Sequence, residues 1–205
     1  LSLFGALPYV FSGVLPNYVD AVFETVSGFT TTGATVFTFI EGQPRGVLFW
    51  RAQTQWMGGV GVLVLALALV PKLGEGSVYL MRAESPGPIK SKLTPRLNDT
   101  AKILYSIYIG LTVGEAVCLR LAGMPWYDAV IHAFTTISTG GFSVKDASIA
   151  AYGSLVIEWI IIIFMFLSGI NFALLYFALC RNFKAVFQSE ELRSYTWMTA
   201  IASGL

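Results

Sequence analysis

Residues 18–36, YVDAVFETVSGFTTTGATV, and residues 126–144, WYDAVIHAFTTISTGGFSV, align without a gap. At this offset of 108, Asp20 falls on Asp128, Ala21 on Ala129, Val22 on Val130, Thr31 on Thr139, Gly33 on Gly141 and Val36 on Val144. Thr30 lies beside the similar Ser138. An internal duplication accounts for such a match. Each copy has an acid near the start of an apolar stretch too short to cross a bilayer, followed by a Thr/Ser/Gly run. The acid suits the positive end of a helix and the run does not stay helical. The pattern therefore predicts a short helix of about three turns that ends in a non-helical loop.

Outward from the two copies the chain is apolar. Of its 205 residues, 55% are hydrophobic and 12% charged, with a mean hydropathy of +0.68. A soluble domain carries about a quarter charged residues, so the solvent predicted here is a bilayer. The runs Ala52–Val70 and Trp159–Cys180 are the cleanest candidate spans. At 1.5 Å per residue, about 19 to 22 residues match a hydrocarbon core of about 30 Å. A third run, Ile103–Leu121, carries Glu115 and Arg120; the acid is expected to face protein and the arginine to snorkel. The repeating unit thus reads as short helix, polar loop, membrane span. The expected fold class is an all-α integral membrane protein built from helix, re-entrant loop and helix units. Its organisation reads as 1–70, the end of a helix with the first loop and span; 71–102, a connector; 103–180, the second repeat; and 181–205, a loop and the start of a further helix. The opening at Leu1 and the apolar close at Trp197–Leu205 read as a fragment of a longer chain.

Charge sets the expected orientation. Lys72, Arg82, Lys90, Lys92, Arg96, Lys102, Arg181, Lys184 and Arg193 fall on one side of this layout, against Arg45, Arg51, Arg120 and Lys145 on the other. The excess places the 71–102 connector in the cytoplasm and both Thr/Gly loops outside. The stretch Glu84–Leu97, rich in Pro and Gly, is expected to be extended or turn-like. A net charge of +1 gives no field to gather nucleic acid. Cys118 and Cys180 have neither disulfide nor zinc spacing.

Backbone that leaves the helix at membrane depth has to line a wet cavity or be buried in protein. Glycine at one fixed place in both loops permits positive φ and lets successive carbonyls turn toward a common axis. Rings of carbonyls can replace the water around a monovalent cation, and the negative C-terminal ends of two short helices aimed at the axis favour a cation there. Asp20 and Asp128, at the opposite ends, stabilise the helices and do not bind the ion.

Plainer roles compete for the remaining residues. A single Thr run beside glycine usually marks helix packing, and it is the duplication that favours an ion path. Gly58, Gly59 and Gly61 follow no strand and precede no phosphate-binding lysine, so they read as close helix contacts. His132, which occupies the place of Glu24 in the first copy, reads as a hydrogen-bonded structural residue. Arg51 and Glu158 lie near span ends and read as interfacial. One histidine and two cysteines in apolar runs assemble no nucleophilic set, so no enzyme activity is expected. The alternative of another class is a secondary carrier whose broken helices bind a small substrate at the midplane.

FETVSGFTTTGATVF at 23–37, FWRAQTQWMGGVGVLVLALALVP at 49–71, RAESPGPIKSKLTPR at 82–96 and FTTISTGGFSVKDASI at 134–149 resemble the membrane subunits of the Trk/Ktr/HKT superfamily of potassium uptake proteins. The resemblance covers essentially the whole chain. It implies repeats of helix, pore loop and helix around one ion path, four in the full protein and two here. Matched by position, Thr31, Thr32 and Gly33 fall on the first selectivity-filter strand and Thr139, Gly140 and Gly141 on the second, with K⁺ as the transported ion and no cofactor. Glycine at position 33, where sodium-preferring plant relatives have serine, resembles the potassium-permissive type. Also implied are an inner-membrane location, a homodimer, the missing downstream repeats and a TrkA-like cytosolic nucleotide-binding regulatory subunit. The family's gating loop and fourth-repeat basic residue have no counterpart in this chain.

Overall fold

The computed structural model describes residues 1–61, 93–182, 186 and 188–204, with 93–101 and 173 described by backbone alone. The described residues are helical and contain no strand. Two short helices, α1 (Ser2–Gly5) and α2 (Leu7–Phe11), lead to α3 (Tyr18–Phe29). After an extended loop comes α4 (45–61), and then α5 (Leu93–Leu121) and α6 (Trp126–Ile137). A second extended loop and a 3₁₀ turn (Ser148–Tyr152) precede α7 (Leu155–Ser168), α8 (Phe172–Leu179) and α9 (Glu190–Ser203).

The duplication is legible in the backbone. Helices α3 and α6 are both 12 residues long, and each end of α6 lies 108 residues after the matching end of α3. Asp20 and Asp128 stand in the first turns, as their charge requires. Asn17 caps α3, its side chain accepting from the Val19 N–H at 3.0 Å. Pro125, with its fixed φ of −57°, opens α6 without a capping side chain.

Helix α5 packs along α6, α7 and α8. Leu104, Ile107, Tyr108, Ile137 and Phe172 form one core cluster, and Leu119, Met124, Ala129, Ile157 and Ile161 another. Helix α4 joins the first repeat to the second: its Leu48 and Ala52 pack with Ile131 and Val144. Trp56 donates to the Thr112 hydroxyl at 3.1 Å, and Tyr108 donates back to the Trp56 carbonyl at 3.0 Å. Within α5, Lys102–Leu121 is long and apolar enough to cross a membrane, matching the third predicted span.

Of the other two predicted spans, Ala52–Val70 is described only in part and Trp159–Cys180 departs from expectation. Helix α4 runs from 45 to 61, and the rest of Ala52–Val70 lies outside the described residues, as do 71–92 of the connector. The stretch Glu84–Leu97 is not extended throughout, because Leu93–Leu97 already belongs to α5. Pro95 is tolerated there since the first turn of a helix has free N–H groups in any case. Trp159–Cys180 is not one continuous helix. Helix α7 begins earlier, at Leu155, and breaks after Ser168. At the break the Tyr195 ring of α9 lies where a Cβ on Gly169 would sit, and Tyr195 donates to the Phe166 carbonyl at 3.3 Å. That carbonyl is among those a continuing helix would use, so docking of α9 and the end of α7 go together.

Candidate functional site

Both short helices end in the same manner. The Thr31 N–H donates to the Gly28 carbonyl and the Thr32 N–H to the Ser27 carbonyl, each at 2.9 Å. In the second copy Thr139 donates to Thr136 and Gly140 to Thr135, again at 2.9 Å. This pair of bonds is the Schellman helix stop, which needs a left-handed residue just past the helix. That place is taken by threonine: φ is 54° at Thr31 and 57° at Thr139. A β-branched residue in this region is strained, and such strain gathers where a site over-determines the backbone. Two residues on, Gly33 and Gly141 have φ of 77° and 79°. The same two left-handed places recur in both loops, whose path continues neither helix nor strand.

The six residues predicted for the site lie in these two loops, and the structure brings the loops edge to edge. A Cβ placed on Gly33 would collide with the carbonyl oxygen of Gly140, so only glycine allows the approach. Gln55 of α4 lies against Gly140 and would be 3.9 Å from that Cβ on Gly33. Its Oε1 accepts from the Phe142 N–H at 3.1 Å. Hydroxyls line the start of each loop: Thr30 and Thr32 share a hydrogen bond of 2.8 Å, and Thr139 donates to the Ser138 carbonyl at 2.7 Å. With the C-terminal ends of α3 and α6 leading into it, the site combines backbone oxygen, hydroxyl oxygen and partial negative charge, which suits a monovalent cation.

Behind the loops lies a polar assembly that the sequence reading misplaced. Arg51 is not interfacial; it is 2% exposed, and its Nε donates to Oε1 of the fully buried Glu24 at 2.5 Å. Glu24 also accepts from the Thr35 hydroxyl at 2.9 Å and the Val36 N–H at 3.0 Å. Arg51 donates through Nη1 to the Ser143 carbonyl at 3.1 Å, with its guanidinium 3.6 Å from the centre of the Phe142 ring. Burial is possible because each charge meets its opposite and further polar groups. The signal available in the sequence was one acid and one base of opposite sign on neighbouring apolar helices.

In the second copy different chemistry holds the same place. His132 Nε2 lies 3.3 Å from the Tyr152 hydroxyl, which donates to Asp128 at 2.8 Å. The structural role expected for His132 fits this contact. Burial first, and the Asp128 carboxylate second, raise the Tyr152 phenol above its ordinary value. Beside this loop, toward α7, is a cavity of about 340 Å³ lined by residues including Thr139, Gly141, Ile161 and Met165. Two of the three glycines read as close helix contacts are so: a Cβ on Gly58 would meet the Phe29 backbone, and one on Gly59 would meet Ser138. A Cβ on Gly61 meets nothing within 4 Å among the described residues.

The profile of the TrkH family, described as cation transport protein, matches residues 1–201. The Trk system potassium uptake protein TrkH of Halomonas elongata is 48% identical over 196 residues, which cover 94% of this chain and 41% of that protein. The Trk system potassium uptake protein TrkG of Escherichia coli is 43% identical, over 95% of this chain and 41% of that protein. Among solved structures, the potassium transporter TrkH from Vibrio parahaemolyticus is similar with a TM-score of 0.72 and 38% identity, over 97% of this chain and 38% of that one. The chain thus spans about two-fifths of the length of these relatives.

Proposed function

Because the chain belongs to the TrkH family of cation transport proteins, we propose that it carries two of the pore loops of a potassium-uptake subunit, with K⁺ passing along the backbone oxygens of Thr31–Gly33 and Thr139–Gly141. The observation that carries this reading is the repeated loop geometry: Thr and Gly with left-handed backbone at positions 31 and 33, and again at 139 and 141. A helix stop used only for packing has no need to reproduce strained threonines in both copies.

A carrier for an anion would turn helix N-termini to its substrate. Here the C-terminal ends of α3 and α6 run into the loops and the acids sit at the far ends, which is the wrong sign for an anion. Family membership supports a membrane subunit. The proposal extends to a multi-pass protein of the inner membrane that works as a homodimer, with a TrkA-like nucleotide-binding subunit on its cytoplasmic face. The lysine and arginine excess supports a cytoplasmic 71–102 connector and loops open to the outside.

The test is uptake by the full-length protein in cells that lack potassium uptake systems of their own. Potassium-preferring uptake is expected, and Gly141→Ala should lower the preference at normal membrane levels. A wild-type protein that shows no preference for potassium over sodium would sink the reading.

A further inference from the structure

The buried assembly behind the loops touches both of them, and it is built from three side chains that no ion contact explains. Glu24, on α3, bonds the first loop at Thr35 and Val36. Arg51, on α4, bonds the second loop at Ser143 and stacks on Phe142. The ion pair between them closes a continuous path from one loop to the other. Gln55, one turn after Arg51 and on the same face of α4, adds a second attachment through the Phe142 N–H. Gln55 and Glu24 are fully buried and Arg51 nearly so.

Resting on the pore reading, we propose that Glu24, Arg51 and Gln55 are positioning residues that set the gap between the first and second filter loops and so tune the choice among monovalent cations. A buried ion pair seldom adds net stability over well-packed apolar residues, so stability alone does not account for this one. Its geometry does. The guanidinium is planar and presents its donors in a fixed fork, so a bond to Glu24 and a bond to Ser143 cannot vary independently. Lysine would supply the charge without the fork. Discrimination between potassium and sodium depends on where the carbonyls stand and how far they yield. A clip fastened to Val36 on one loop and to Phe142 and Ser143 on the other limits both.

The Gln55 amide separates this role from a general lock on the fold. It sits against Gly140, close to Gly33, where the two loops meet. Its Nε2 has no hydrogen-bond partner among the described residues, so the side chain is held there by the Phe142 bond and by packing. A residue kept for folding alone would not need to place a polar group of fixed length between two glycines.

The experiment uses the full-length protein in cells lacking other potassium uptake, and reads the ratio of potassium to sodium uptake, KM for potassium and the amount in the membrane. The variants are Arg51→Lys, Gln55→Met and Thr35→Val, with Glu190→Gln, on the exposed start of α9, as a control. Arg51→Lys and Gln55→Met should lower the ratio about tenfold at normal membrane levels, the scale of one lost hydrogen bond to a charged or buried group. Thr35→Val, which leaves the ion pair in place but removes one hydrogen bond to the Glu24 carboxylate, should also lower it about tenfold. Glu190→Gln should not change it. If Arg51→Lys fails to reach the membrane, the other two variants decide. Ratios equal to wild type in Gln55→Met and Thr35→Val would overturn the proposal while leaving the pore reading intact, whereas a wild-type protein without potassium preference would overturn both.

Discussion

The carbonyl oxygen of Gly140 fills the space into which a side chain at Gly33 would grow. The corresponding space at Gly141 holds no heavy atom of the described residues within 4 Å, although φ there is just as positive. Alanine at either site costs about 1–2 kcal/mol for the left-handed backbone, but only at Gly33 does it also push the loops apart. Gly33→Ala should therefore reduce the potassium-to-sodium uptake ratio more than Gly141→Ala, in membranes holding equal amounts of each protein. Equal effects would mean that backbone strain, and not loop spacing, governs the site.

Thr31 and Thr139 bear the converse strain. Glycine at Thr139 removes the steric penalty of a β-branched residue at positive φ, and after the larger entropy of an unfolded glycine the net gain is about 1 kcal/mol. The expected result is an unusual pairing of higher thermal stability in detergent with poorer ion discrimination. A Thr139→Gly protein that melts lower than wild type would show that the threonine hydroxyl, bonded to the Ser138 carbonyl, outweighs the strain.

Gly58 and Gly59 sit where α4 touches the ends of α3 and α6. A methyl group at Gly58 meets backbone, which cannot swing aside, so Gly58→Ala should cost about 1–3 kcal/mol through overpacking. Reduced membrane levels and a broadened elution profile are the expected signs. Gly61→Ala should cost less in the same assay, since no described residue lies within 4 Å of the added methyl.

Glu115 is fully buried on α5, and neither carboxylate oxygen has a hydrogen-bond partner among the described residues. A glutamine amide has nearly the same shape as this carboxylate and no charge to desolvate, so Glu115→Gln should keep wild-type membrane levels. Glu115→Lys, which puts an ammonium into the same space, should abolish them. Normal levels of the lysine protein would show that water or a further segment reaches this position.

Much of this was open to inspection in the sequence because the duplication supplied an internal control. The short helices of about three turns and their leading acids follow from the pairing of 18–36 with 126–144, whereas the left-handed Thr31 and Thr139 do not, because positive φ is expected of glycine and not of a β-branched residue. Arg51 was misread because distance from the end of a run does not say which face of a helix a residue occupies. Its partner Glu24 lies 27 residues away and belongs to another element. The break after Ser168 had a local signal that the length of the run outweighed: Ser168, Gly169 and Asn171 interrupt the apolar stretch Trp159–Cys180, and the docking of Tyr195 at Gly169 goes with the break.

Glu24 and His132 occupy equivalent places in two copies of one backbone, yet the first binds an arginine and the second a tyrosine. A pore assembled from identical subunits has to satisfy every contact with one sequence, and any substitution enters it as many times as there are subunits. A pore written as repeats in a single chain is free of that constraint. Each loop can acquire its own support, and a mutation alters one sector of the ring while the others keep their setting. Selectivity in such a protein can be adjusted by small steps during evolution, where in a symmetric channel the same change would be taken all at once.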